Sequence, residues 1–130
     1  MEGERARTAR EIWHAFARRD AEAIVALGGE RAEWRPARAP EGLQGRAALE
    51  AYFEGLEREG VVEEAIAHRV EEIGRVVVIT GAVREQRGGS GYVEATRSWI
   101  CVFRDDTIAW GASCTGAGEI RSTLAALGAA

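Results

Sequence analysis

The chain of 130 residues is 46% hydrophobic and 29% charged, the balance of one soluble globular domain, 1–130, long enough to bury a core. Its net charge of −4 excludes a broad attraction to nucleic acid or to anionic lipid. No run approaches the roughly 18 apolar residues of a membrane-crossing helix, so no membrane partner is expected. Nor does an apolar stretch follow Met1-Glu2-Gly3-Glu4-Arg5 to act as a signal peptide, and a cytoplasmic protein is expected. All 17 basic residues are arginine, which, with the many Ala and Gly, suggests a GC-rich bacterial genome more than an arginine-based function.

Residues 5–19 read as a first helix, with Ala9, Ile12, Trp13 and Phe16 on one stripe and His14 turned to solvent. Asp20 reads as the N-cap of a short second helix that Gly28-Gly29 ends. Residues 31–35 suit a short strand, followed by a loop marked by Pro36 and Pro40. A third helix runs from Gly45-Arg46 to about Glu59, with Leu49, Tyr52, Phe53 and Leu56 on one face. Long strands follow over 61–73 and 75–87, joined at Gly74, and a third starts at Gly91 after Gly88-Gly89-Ser90. A last strand ends near Thr115, and Glu119 to Leu127 closes the chain as a small helix stopped by Gly128. This order predicts an α+β domain with helices packed on one face of a curved antiparallel sheet.

Residues 96–115 carry the strongest pattern, two arms of β-branched and aromatic residues folded back at Asp105-Asp106. An even-numbered loop there sets Phe103 opposite Ile108, Cys101 opposite Trp110, Trp99 opposite Ala112 and Arg97 opposite Cys114, all on one face. Ser98, Ile100, Val102, Ala109, Gly111 and Ser113 take the other. Cys101 and Cys114 would stand about 13 Å apart along the strands, beyond the about 7 Å of a disulfide, and are expected as free buried thiols.

Four stretches resemble the SnoaL-like branch of the nuclear transport factor 2-like superfamily. They are Phe16-Ala17-Arg18-Arg19-Asp20 with the following Ile24-Val25-Ala26-Leu27, then Trp34, then Gly45 through Phe53, and Val102 through Ile108. The resemblance implies a cystatin-like cone with an internal pocket between the concave face of the sheet and the first three helices. It also implies a homodimer through the convex face, where Ile100, Val102, Ala109 and Gly111 would form a flat apolar surface. Family members range from polyketide cyclases and isomerases to non-catalytic binding modules, and fold does not choose among them. Where ketosteroid isomerases of this fold carry a general-base Asp before Pro, this chain has Arg35 before Pro36. It has no Asn, and its Asp residues (20, 105 and 106) suit a cap and a turn, which argues against Asp-based chemistry.

Arg97 is the leading site candidate, because a guanidinium on an aromatic face needs a partner or a ligand anion. His68 shares strand parity with Val62, Ile66 and Val70, so it is expected to point inward as an acid or base. Tyr52, Trp34, Trp99 and Trp110 are expected to line the ligand, and Glu64 and Glu94 are the inward carboxylates. His and Cys at 14, 68, 101 and 114 lack metal-ligand spacing, so no metal or other cofactor is expected. Two readings stay open. One is a pocket for a small, mainly apolar molecule with an anionic or carbonyl oxygen, with proton transfer through His68 and Arg97. The other is a non-catalytic binding or dimerisation module.

Overall fold

The computed structural model describes residues 3–87, 91–114 and 117–126. Its elements are α1 (Glu4–Ala17), α2 (Ala21–Gly28), β1 (Glu33–Arg35), β2 (Leu43–Gln44), α3 (Arg46–Arg58), β3 (Val61–Ile73), β4 (Val76–Arg87), β5 (Val93–Arg104), β6 (Thr107–Cys114) and α4 (Ala117–Ala126). The α+β class and most boundaries match the expectation from sequence. The stop expected at Gly128 lies outside the described residues.

The local reasons are those of the sequence. The Asp20 side chain accepts a hydrogen bond from the Ala23 N–H at 3.0 Å, supplying an acceptor to a free N–H at the start of α2. Arg104 pairs with Thr107 across Asp105-Asp106, as the even loop requires, with Asp105 at φ 57°. Aspartate tolerates that left-handed conformation better than most residues.

The strands form one curved sheet in the order β2-β1-β6-β5-β4-β3. It is mixed, not wholly antiparallel, because β1 joins β6 in parallel through Glu33–Trp110, Trp34–Gly111 and Arg35–Ala112. The first three helices pack on the concave face over Trp34, Val61, Val77, Ile79, Trp99, Cys101, Phe103 and Ile108. On the convex face Val76, Val78, Ile100, Val102 and Cys114 form a second cluster beneath Ile120 and Leu124 of α4 and beside Trp110. Ile100 and Val102 are thus buried within the chain, not displayed for a partner, and Gly111 faces the concave core against Trp34 and Trp99.

Two bulges explain where simple alternation fails. Phe103 pairs with Ile108 but Val102 pairs with Trp110, leaving Ala109 as the extra residue. That slip turns Trp110 and Cys114 to the convex face, so the two cysteines lie on opposite sides of the sheet and are free thiols. In β3, Ala67 pairs with Gly81 and Arg69 with Thr80, leaving His68 extra. Gly81 makes this bulge feasible, since a Cβ there would stand 2.1 Å from the Ile66 carbonyl oxygen.

Arg5 ties the ends of two hairpins to α1. Its guanidinium donates to the carbonyls of Gly74 at 3.3 Å and Asp105 at 2.7 Å, and lies 5.5 Å from the centre of the Phe103 ring.

Candidate functional site

Between the concave face and the helices lies a cavity of about 470 Å³. Its inner wall is aromatic. Trp13 and Phe16 descend from α1 to meet Trp99, with the Phe16 and Trp99 ring centres 5.3 Å apart. Behind Trp99 stands Trp34, parallel to it within 7° at 6.4 Å and 1% exposed. Tyr52 of α3 contributes to the outer wall, its ring 5.5 Å from that of Phe53.

The floor follows from strand pairing. Glu63, Glu85 and Val93 form one row across β3, β4 and β5. Ala65, Val83 and Ala95 form the next, and Ala67, Gly81 and Arg97 a third. Because side chains alternate, all three rows share the concave side. The floor therefore passes from carboxylates through small apolar groups to a guanidinium. Val93 is 68% exposed and Trp99 only 5%, so the acidic row lies toward the rim and Arg97 further in.

The rim charges are unevenly satisfied. Glu85 is held by an ion pair with Arg38 from the loop after β1. Burial opposes the charge on Arg38, but the hydrogen bond and charge of Glu85 outweigh it and raise its pKa. Glu63 makes no hydrogen bond or ion pair within 4 Å among the described residues. Burial, then the charge of Glu85, pushes its carboxyl above the ordinary value, while Arg19, Arg38 and Arg97 pull it back. The Tyr52 hydroxyl is pushed up to about 12 by burial and Glu63, and stays protonated at neutral pH. Arg97 likewise has no ion pair among the described residues. The buried indole N–H groups of Trp13 and Trp99 find no acceptor there either. Burial pushes the Cys101 thiol up to about 12, against a weak pull from the nearby Trp99 N–H, which stands outside hydrogen-bond geometry.

Arg97, Tyr52 and Trp99 thus meet on the cavity wall, and Trp34 supports it from behind. His68 does not reach it: the residue is exposed at the bulge and outside the lining. Trp110 packs on the opposite face with Val102. Glu64 and Glu94 also lie outside, flanking Arg84 at 3.9 and 3.6 Å. The inward carboxylates are Glu63 and Glu85. Among the described residues no group of three or more His, Cys, Asp or Glu is placed to hold a metal ion. No described helix is long and apolar enough to cross a membrane.

The raised Glu63 carboxyl makes the pH dependence of stability testable. A folded-state pKa above the unfolded one gives stability that is present at low pH and lost as pH rises through the folded value. Glu63→Gln removes that loss, so its stability relative to the parent should be greater at pH 8 than at pH 4 in urea titrations. An equal difference at both pH values would contradict the burial of this carboxyl.

This fold is that of the nuclear transport factor 2-like proteins. An NTF2-like protein of unknown function from Burkholderia pseudomallei superposes with a TM-score of 0.75 at 16% identity, covering 93% of this chain and 97% of that one. TerC, co-crystallised with polyporic acid, gives 0.73 at 13% identity over 92% and 97%. An LEH-like epoxide hydrolase from M. tuberculosis gives 0.68 at 15% identity over 94% and 85%. No family model matches the sequence, and no curated protein matches it significantly.

Proposed function

We propose that the cavity binds a small, mainly apolar molecule through an anionic or carbonyl oxygen held by Arg97. The observation that carries this reading is Arg97 itself, a guanidinium on an aromatic cavity wall with no ion-pair partner among the described residues. A cation so placed gains from a ligand acceptor, because no ion-pair partner among the described residues already holds it. The indole N–H groups of Trp13 and Trp99 are further donors without acceptors. TerC, a protein of similar fold, was co-crystallised with polyporic acid.

A second reading, that the pocket also moves a proton on its ligand, is favoured by Glu63. It is a carboxyl on the cavity wall without an ion pair among the described residues, and burial raises its pKa above the ordinary carboxylate value. His68, exposed at the bulge, is not needed for that step.

The test begins with a thermal-shift screen of carboxylates, enones and polycyclic phenols, followed by titration of any hit. Arg97→Met keeps much of the side-chain volume and removes the charge. It should weaken binding roughly ten- to a hundredfold, as expected for a charge-assisted hydrogen bond. A hit that Arg97→Met binds as tightly as the parent would remove Arg97 as the anchor.

A further inference from the structure

We infer that the ligand has two polar ends: an acceptor that enters first and meets Arg97, and a hydrogen-bond donor, such as a hydroxyl, that remains at the rim and meets Glu63. This extends the Arg97 reading above and rests on it. The floor supplies the argument. The rows bearing Glu63–Glu85 and Gly81–Arg97 are four residues apart along β4, roughly 13 Å at the backbone. Between them lie only Ala65, Val83 and Ala95, none of which can donate or accept through its side chain. A ligand lying along this floor meets a donor, then apolar surface, then acceptors.

The two carboxylates at the rim are not equivalent. Arg38 already occupies Glu85. Glu63 stands beside it without a hydrogen bond or ion pair among the described residues, and its charge reaches Tyr52 of α3 on the same wall. A carboxylate accepts and cannot donate, so the group it selects on a ligand is a donor. A second ligand anion there would face Glu63 beside an Arg38 already paired with Glu85, whereas Arg97 has no ion pair among the described residues, so the floor favours the anionic end at Arg97. The charged and titratable groups facing Glu63 are Glu85 from β4, Arg97 from β5, Tyr52 from α3, Arg38 after β1 and Arg19 after α1.

The experiment compares 2-naphthoate with 6-hydroxy-2-naphthoate, rigid acids that differ by one distal hydroxyl, by calorimetric titration of the full chain at pH 7.5. The hydroxy acid should bind about five- to tenfold more tightly to the parent, the worth of one hydrogen bond. In Glu63→Leu the ratio of the two affinities should fall to about one, whatever change the lost charge makes to both acids alike. Glu63→Gln, which keeps an acceptor without the charge, should retain part of the advantage and serves if the leucine variant does not fold. Arg97→Met should weaken both acids alike. If both acids bind equally well to the parent, or the hydroxyl advantage survives in Glu63→Leu, the two-ended ligand is overturned and the Arg97 anchor stands. If neither acid binds at millimolar concentration, the anchor reading fails and this inference with it.

Discussion

Replacing Trp34 by alanine is expected to cost about 3–5 kcal/mol of stability, the range for deleting a fully buried aromatic side chain. The indole is 1% exposed, lies parallel to Trp99, and meets the edge of Phe16 at 5.5 Å. Its seat is cut to shape by two glycines. A Cβ at Gly28 would stand 2.7 Å from the ring, and one at Gly111 2.9 Å from it. A site walled by backbone on two sides cannot collapse onto the vacancy, so the cavity term is retained. Urea titration gives the loss directly, and Trp34→Phe should recover part of it. The same change removes the support behind Trp99, so any ligand of the cavity should also bind Trp34→Ala less tightly than the parent. A loss below about 1 kcal/mol would mean that the ring is not the packed centre described here.

Gly81→Ala is the second large effect, expected to lower stability by about 3 kcal/mol, at the upper end of overpacking costs. The obstruction is the Ile66 carbonyl oxygen, 2.1 Å from the added carbon, and a backbone group within a paired strand cannot rotate aside as a flexible side chain would. Relief requires opening the β3–β4 pairing next to the bulge at His68. For a domain of this length the melting temperature should fall by roughly 10 °C. Gly118→Ala is the control: nothing lies within 4 Å of the added carbon, and the position is in α4. Equal melting temperatures for the two variants would show that the bulge accommodates a side chain.

The elements were legible because helix periodicity, the Asp20 cap and the Asp105-Asp106 turn act over a few residues each. The site was legible only in part because facing depends on counting along strands, and each bulge reverses the count. Alternation puts Arg97 and Trp99 on the cavity side correctly, because β5 runs through that stretch without a bulge. Simple alternation misplaces His68 and Trp110, because each follows or forms an irregularity. The same reason hides Glu63: Val70 does face the core, but extending its parity back across the bulge selects Val62, Glu64 and Ile66 instead of Val61, Glu63 and Ala65. A signal was present. Gly81 and Gly111 are isolated glycines inside strands, each beside a point where pairing slips or another group approaches closely. The coverage of Ile100 and Val102 by α4 was harder to read, since Ile120 and Leu124 are only two apolar positions one turn apart.

The placement of β1 beside β6 has a consequence for how the chain is made. The earliest strand in sequence has its parallel partner in the last, and β2 reaches the sheet only through β1. During synthesis from the N-terminus, the residues around Trp34 therefore wait until positions 110–112 have emerged before they can pair. Arg5 waits almost as long for the carbonyl of Asp105. The β3–β4–β5 meander, built from neighbours in sequence, can close first at small entropic cost, whereas the β1–β6 union closes a loop of most of the chain. Until then Trp34 has only α1 and α2 against it, through Phe16 and Gly28, and the sheet side of its ring stays open until β5 and β6 arrive.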